Sequence, residues 1–307
     1  MSAGAPSVAA AAAVPLSGLL LAVVGAIAFS GKAIIVKLAY RHGVDAVTLI
    51  MLRMLFALPL FMAMAWWAGR GKPALSGPDL LRVFGLGVIG YYLSSYLDFL
   101  GLQYVSASLE RLIIYLNPTL VMLLGWLLYR RRFSLRQVTG MAISYGGVLL
   151  VFGHEIHAEG PMAALGAALV VASAITYATY LVYSGELVKR LGSLRLVGWA
   201  SSFACLCCIL QFVLLRPLDA ATTTAPEVIW LSVVNAVLCT AVPVLLVMMA
   251  IERIGATLTS QTGMVGPMST ITMGVWLLDE PFTLWVIAGT TLVLVGIYVF
   301  SRPAASG

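Results

Sequence analysis

The sequence predicts an all-α membrane protein whose ten transmembrane helices form two inverted five-helix repeats. Hydrophobic residues make up 61% of the 307 residues and charged residues only 10%, which is too apolar for a soluble protein of this size. Apolar runs of about 20 residues, each long enough to cross a bilayer as a helix, recur along the whole chain. The second half of the chain also repeats part of the first half without a gap.

The ten spans follow from the apolar runs in order. A helix satisfies its backbone hydrogen bonds within one segment, which the bilayer interior requires, and the sequence lacks the alternation of a membrane barrel strand. The predicted spans are residues 17–37, 47–68, 81–101, 105–127, 135–153, 162–184, 194–215, 226–249, 255–278 and 282–301.

The basic residues predict the orientation of these spans. An even number of spans places both termini on one side of the membrane, and the excess of Lys and Arg on that side predicts that it is the cytoplasm. The net charge of +6 is therefore interpreted as an orientation signal and not as a nucleic-acid surface. The first 16 residues contain no Lys or Arg, so a cleaved signal peptide is not expected. The basic residues of the predicted cytoplasmic side are Arg70, Lys72, Arg82, Arg130, Arg131, Arg132, Arg136, Lys189, Arg190, Arg195, Arg253 and Arg302, against Lys37, Arg41, Arg111 and Arg216 opposite.

An internal repeat divides the chain into two predicted domains, residues 1–155 and 156–307. Residues 101–152 align with residues 250–301 at a constant offset of 149, and "LYRRRFSL" (128–135) becomes "LLDEPFTL" (277–284). Five spans in each half is an odd number, so the second copy enters the membrane upside down. The loop that carries three arginines then faces the cytoplasm, and its acidic copy faces outward. Inverted repeats are typical of secondary transporters.

Five charged residues inside the first four spans form a candidate site, because charges inside a membrane are costly. Helical rise places all five at one depth, roughly 6–10 Å outside the midplane. We expect opposite charges to pair there. Several roles stay open: a structural clamp, an outer gate, a site where Lys32 or Arg53 meets a substrate carboxylate, a proton-coupling role for Glu110, or contact of Glu110 and Arg111 with headgroups. The five residues are Lys32, Arg53, Asp98, Glu110 and Arg111.

Polar and aromatic stripes on spans 3 and 6 predict a substrate cavity, since such faces turn toward other helices or a water-filled path. Pro118 and Pro267 are predicted to break spans 4 and 9 near the midplane, where each frees a backbone carbonyl. Interhelical hydrogen bonding is the alternative for individual residues. The predicted cavity residues are Tyr91, Tyr92, Ser95, Tyr115, Asn117, Thr176, Tyr177, Tyr180, Gln261 and Met264.

The chain contains no Walker motif, no GxSxG or HExxH, and no Cys/His spacing of a metal site. We therefore expect no catalytic site, metal or cofactor, and no enzyme. The four cysteines lie inside apolar spans, where Cys behaves as a small hydrophobe.

The segments "LGWLLYRRRFSLRQVTGMAISYGGVLLV" and "GVWLLDEPFTLWVIAGTTLVLVGIYV" resemble the closing signature of the EamA-like repeat of the drug/metabolite transporter superfamily. Lys37, Arg53, Pro118 and Pro267 agree with that family, whereas Phe29 stands where many relatives carry Trp. The resemblance implies a ten-helix permease of the bacterial cytoplasmic membrane, similar to exporters of amino acids, including aromatic ones.

The function predicted from the sequence is a secondary transporter that moves small metabolites, with amino acids as the first candidates, outward by alternating access. The alternatives are a channel-like facilitator and an exporter of other metabolites or drugs, such as nucleosides. The expected partners are a small-molecule substrate and lipid, with proton coupling left open and no nucleic acid. A monomer or a weak homodimer is expected.

Overall fold

The computed structural model describes residues 15–130, 134–159, 162–263 and 265–301, and every regular element in these ranges is a helix. A one-turn helix, Asp219–Thr222, connects spans 7 and 8. The spans are Leu16–Tyr40, Ala46–Gly69, Gly77–Gly101, Ala107–Ile114 with Asn117–Tyr129, Leu135–Glu159, Met162–Leu191, Ser193–Leu215, 226–262, Val265–Leu278 and Leu284–Ser301.

Eight helical segments of the described chain are long and apolar enough to cross a membrane, and two further apolar helices are shorter. Together they give the ten spans that the sequence predicts. The helix starts are locally encoded: Asp45, Ser76 and Ser106 accept backbone hydrogen bonds at the first turns of spans 2, 3 and 4.

The predicted boundary between spans 8 and 9 is wrong. The apolar runs predict a connection at residues 250–254, but residues 242–262 form one helix and span 9 begins only at Val265. Residues 250–254, "AIERI", contain neither Pro nor Gly, so nothing there stops the helix. The break comes at Gly263 instead, four residues before Pro267, which has no N–H to donate to the Gly263 carbonyl. That carbonyl instead accepts a shorter-range bond from the N–H of Gly266.

The backbone repeats at the same offset of 149 residues that relates the two halves of the sequence. A π-helical segment starts at Val88 in span 3 and another at Val237 in span 8. The only two non-glycine residues with positive φ in the described chain are Arg130 (52°) and Asp279 (60°), which are equivalent positions. The repeat therefore extends beyond the segment that sequence identity reveals, and the chain consists of two inverted five-helix repeats.

The two halves pack on each other through equivalent pairs of spans. Span 1 packs on span 8 as span 6 packs on span 3. Span 2 packs on its equivalent, span 7, and span 5 packs on its equivalent, span 10. The pairing of spans 5 and 10 depends on glycines at equivalent positions. A Cβ on Gly147 would lie 2.6 Å from the Gly289 carbonyl oxygen, and one on Gly296 would lie 2.6 Å from that of Gly140. These close approaches permit no larger side chain and explain the repeated glycines.

Candidate functional site

The charged layer comprises Lys32, Arg53, Asp98, Glu110 and Arg111, and its centre is a lysine shared by two carboxylates. Lys32 Nζ lies 2.5 Å from Asp98 Oδ2 and 3.4 Å from Glu110 Oε1. The carboxylate side chains are only 2% and 0% exposed, whereas the lysine is 20% exposed. Three spans thus contribute to one buried ion cluster, and pairing lowers the cost of burying each charge.

Arg111 joins this cluster and anchors it to span 1. Its Nε lies 3.8 Å from Glu110 Oε2, and its Nη2 donates to the main-chain oxygens of Phe29 at 3.2 Å and Ser30 at 3.4 Å. Glu110 and Arg111 are both buried. The interpretation that they face lipid headgroups is therefore wrong.

Arg53 departs from the expected pairing. Although only 3% exposed, it has no ion-pair partner within 4.0 Å among the described residues, and its Nε has no hydrogen-bond partner among them. Its guanidinium lies over the Phe99 ring, 4.5 Å from the centroid, which is a cation–π contact. Asp98 and the thiols of Cys205 and Cys208 lie within electrostatic range. The structure thus joins four of the five predicted charges and leaves the fifth beside them.

A short helix, Ala107–Ile114, presents Glu110 and Arg111 to the layer. The Ser106 hydroxyl oxygen accepts from the Leu109 N–H and fixes the helix start. The helix stops at Ile114, four residues before Pro118, and the next helix starts at Asn117. The predicted helix break at Pro118 therefore limits the 107–114 helix to two turns.

The helix breaks of the two halves contact each other. The Tyr115 hydroxyl donates to the Gly263 carbonyl oxygen at 2.5 Å, which is the carbonyl that Pro267 leaves without its helical donor. Gly266 leaves room for this contact, because a Cβ there would collide with the Tyr115 hydroxyl oxygen. The hydroxyl of Ser30 donates to the Gly266 carbonyl at 2.8 Å. The two proline breaks and span 1 therefore form one hydrogen-bonded junction.

A cavity of about 720 Å³, called the vestibule here, opens on the side that sequence analysis predicts to face outward. Lys37 and Arg41 from the end of span 1 line it, together with Asp279 and Glu280 from the loop after span 9. Lys37 Nζ donates to the Val105 carbonyl at 2.9 Å. The vestibule wall thus comes from both halves and carries both signs of charge.

Glu280 forms part of the vestibule wall and binds the start of the 107–114 helix. Its carboxylate accepts from the N–H of Ala107 at 2.7 Å, the N–H of Ser108 at 3.3 Å and the hydroxyl of Ser108 at 2.7 Å. Unpaired N–H groups and the positive end of the helix dipole favour an anion at this position. The motif "LLDEPFTL" therefore contacts the same short helix that carries Glu110 and Arg111.

The predicted cavity tyrosines of spans 3 and 6 lie between those spans and not on the vestibule wall. Tyr91, Tyr177 and Tyr180 pack as a ring cluster with centroids 4.9–6.3 Å apart. Tyr180 is only 4% exposed, because its ring lies against Gly90, which has no side chain. In this conformation Tyr180 is an interhelical contact, which corrects the expectation that it lines open space.

Hydrogen bonds explain much of the remaining polarity of spans 3 and 6. Ser173 donates to the Ser94 carbonyl at 2.8 Å, and Thr176 donates to the Ser173 carbonyl at 2.8 Å. Tyr92 stacks on Tyr96. None of the predicted cavity residues whose side chains the structure describes lines the vestibule.

The structure describes the side chains of two of the four remaining members of the predicted cavity. Ser95 is partly exposed, as is Asn117, whose side-chain oxygen is buried without a hydrogen-bond partner among the described residues. Met264 and the side chain of Gln261 lie outside the described residues. A role for these residues in a central pathway remains a prediction.

The acidic motif is evident in the sequence, but the group that Glu280 binds is not. Ser106 before an apolar run is a helix-start signal, and acids favour helix N-termini. This signal predicts that some acid is favoured at residue 107. It does not say which acid, because Glu280 lies 173 residues away in the chain.

Comparisons with known proteins agree with this architecture. The model of the EamA-like transporter family matches residues 16–153 and 164–302. Uncharacterized transporter YcbK of Bacillus subtilis is 30% identical over 86% of each chain, and an uncharacterized transporter of Archaeoglobus fulgidus is 22% identical over 88% of this chain and 92% of its own. A solved crystal structure, 19% identical, superposes with a TM-score of 0.64 over 95% of this chain and 99% of its own, and shows the fold alone. The protein is thus a multi-span membrane transporter of a small-molecule substrate, and it belongs to the EamA-like transporter family of the drug/metabolite transporter superfamily.

Proposed function

We propose that the protein is a secondary transporter that exports small metabolites, with amino acids as the first candidates, across the cytoplasmic membrane by alternating access. One observation carries the proposal. A buried charged layer of the first half lies beside span 7 of the second half, and residues of both halves line a vestibule at the end of span 1. Lys32 lies five residues before Lys37 of the vestibule, about 7 Å along span 1. Substrate sites of inverted-repeat transporters lie at such a junction.

Contacts on the opposite side support the alternating-access part of the proposal. There, Arg190 Nη2 lies 2.8 Å from Asp79 Oδ2 and ties span 6 to span 3. Arg41 is the equivalent of Arg190 at the offset of 149, and on the vestibule side it donates to the Leu278 carbonyl and lies 3.8 Å from Asp279. Equivalent arginines thus make contacts between the two halves on opposite sides of the molecule. Rocking of the two halves would strengthen the contact on one side as it weakens the contact on the other.

The chemistry of the vestibule supports a zwitterionic substrate. Lys37 and Arg41 supply positive charge, and Asp279 and Glu280 supply negative charge. An amino acid presents both charges and an apolar body, which suits a wall of this kind. The fully buried Glu110, which shares Lys32 with Asp98, is the proposed group for proton coupling. Both termini are proposed to be cytoplasmic and the protein to be a monomer or weak homodimer.

The test begins with a ligand screen and ends with transport. Purified protein in detergent is heated with amino acids, nucleosides and sugars, because a ligand of the folded state raises its apparent stability. Stabilising compounds are then tested in proteoliposomes for saturable uptake and counterflow. We expect an amino acid to show both. Unsaturable flux without counterflow would establish a channel-like facilitator instead, and a nucleoside or drug as the sole substrate would remove the amino-acid assignment.

A further inference from the structure

We propose that the charged layer is a binding site for one carboxylate of the substrate, and that Arg53 is the specificity-determining residue that requires this negative charge. The proposal rests on the transport function proposed above and names the chemical class of its substrate. It is carried by the formal charges of the layer and by the partners that each charge has in the structure.

The formal charges of the layer do not balance. Lys32, Arg53 and Arg111 are positive, whereas Asp98 and Glu110 are negative, so the five groups together carry one excess positive charge. All but Lys32 are at most 7% exposed. A buried charge without a counter-ion is strongly unfavourable. One anion that enters the layer would therefore be bound more strongly there than elsewhere along the transport path.

Arg53 is the cation of the layer that has no ion-pair partner among the described residues. Arg111 lies 3.8 Å from Glu110 and donates to two carbonyls, although its Nε has no hydrogen-bond partner among the described residues, and Lys32 lies between two carboxylates. Arg53 makes no ion pair within 4.0 Å with any described residue, and its side chain contacts the Phe99 ring and the Met54 sulfur. A cation–π contact compensates only part of the lost hydration. Within the described part of the chain, Arg53 therefore lacks an anionic partner.

Asp98 provides a way to transmit an incoming charge to Arg53. Its Oδ2 is held by Lys32, its Oδ1 is buried without a hydrogen-bond partner among the described residues, and the carboxylate lies within electrostatic range of Arg53. Lys32 is the most exposed member of the layer. A substrate carboxylate that binds Lys32 would replace Asp98 there, and Asp98 would turn to Arg53. The layer would then hold three cations and three anions.

The first experiment compares ligands that differ only in the carboxylate. Thermal shifts of detergent-solubilised protein are measured with leucine and leucinamide, with phenylalanine and phenylalaninamide, and with lactate, at constant ionic strength. Each amide keeps the apolar body and the ammonium group of its acid. We expect stabilisation by at least one acid and none by its amide. Equal stabilisation by acid and amide, or no stabilisation by any carboxylate, overturns the proposal.

The second experiment changes the charge balance within the protein. Arg53→Gln makes the layer neutral and should weaken the binding of the stabilising acid by about 10- to 100-fold, the range of a lost charge-assisted hydrogen bond. Its melting temperature should not fall, because Arg53 makes no ion pair with a described residue. Arg111→Gln is the matched control for stability: it also makes the layer neutral, but it removes one of the two cations beside Glu110 and should lower the melting temperature. Arg53→Lys keeps the charge and should keep most of the affinity.

A double variant distinguishes charge balance from a merely structural role. Asp98→Asn alone raises the excess to two positive charges and should tighten acid binding. Combined with Arg53→Gln it restores one excess charge and should recover affinity to within about threefold of wild type. Absence of this rescue, with both proteins folded, overturns the proposal. If Arg53→Gln does not fold, Arg53→Met is used, and loss of folding in both shows that Arg53 is structural.

Two further outcomes distinguish a substrate carboxylate from an inorganic anion, and the carboxylate site from the transport function. If sodium chloride alone stabilises wild type and not Arg53→Gln, and acids add nothing, the layer binds an inorganic anion and the substrate assignment is wrong. If proteoliposomes transport a compound while Arg53→Gln and the acid–amide pairs show no difference, the carboxylate site is refuted and the transport function stands. Absence of transport for every compound removes the function proposed above.

Discussion

Replacement of Glu280 tests whether the acidic loop after span 9 holds the 107–114 helix. The Glu280 carboxylate accepts three hydrogen bonds, two of them from the N–H groups of Ala107 and Ser108. A hydrogen bond to a charged group contributes about 1.5–3 kcal/mol, and a charge at a helix N-terminus adds about 0.3–1 kcal/mol. Because the vestibule lets water replace part of these bonds, we expect Glu280→Ala to cost about 2–3 kcal/mol. Glu280→Gln keeps one acceptor oxygen and should cost roughly half of that.

The neighbouring acid provides the control. Asp279 is 89% exposed and lies 3.8 Å from an Arg41 side chain that is itself 50% exposed. Such surface pairs contribute about 0–1 kcal/mol, so Asp279→Asn should be nearly silent. Thermal unfolding in detergent is measured for the Glu280 and Asp279 variants and for Ser108→Ala. The Ser108 and Glu280 changes should be non-additive because they remove the same bonds. Equal destabilisation by the Asp279 and Glu280 changes, or full additivity with Ser108→Ala, would refute the docking argument.

Three further predictions follow from the site. Glu110→Gln should retain substrate exchange but lose the dependence of net transport on a pH gradient; an unchanged dependence excludes Glu110 as the coupling group. Tyr115→Phe loses only the hydroxyl that joins the two helix breaks and should slow transport with little effect on the melting temperature, whereas Tyr180→Ala removes a packed ring and should cost about 3 kcal/mol or more of stability. Single cysteines at Ser134 and Thr283 in a cysteine-free background should label from opposite sides of the membrane, and labelling from the same side contradicts the inverted topology.

The ten spans could be predicted because their signal is local and large. Each apolar run must be long enough to cross the bilayer, and the constant offset of 149 between the halves is visible without a structure. That Lys32, Asp98 and Glu110 lie at one level of the bundle was also predictable, because helical rise converts residue number into distance. The structure brings these three into one ion cluster. Proline likewise marks the helix breaks, since its effect acts on the carbonyl four residues earlier.

The pairing of Arg53 could not be predicted, because it depends on rotation about the helix axis and on neighbours far apart in the sequence. Depth alone placed Arg53 with the other charges, but its side chain turns toward Phe99 and two cysteines of span 7. The same limit applies to Tyr180, whose polar stripe is compatible with a cavity and with an interhelical contact. The π-helical segments that start at Val88 and Val237 have no residue signal in common that would have revealed them.

The reversal of charge between the two halves has a structural cause in addition to membrane topology. Arg130 and Asp279 share a left-handed backbone, so the turn itself recurs while its charge changes. Glu280 follows this turn and accepts from the backbone N–H groups of Ala107 and Ser108, at the start of a separate short helix. The equivalent of Ala107 is Ala256, which lies inside the continuous helix Val242–Thr262, where helical hydrogen bonds already use the backbone N–H groups. An acid after the first-half turn would therefore have no helix start to bind at the equivalent position. The acidic copy of the turn therefore lies in the second half, because that turn faces the start of the separate 107–114 helix. The same helix carries the two charges, Glu110 and Arg111, whose equivalents in the second half are uncharged.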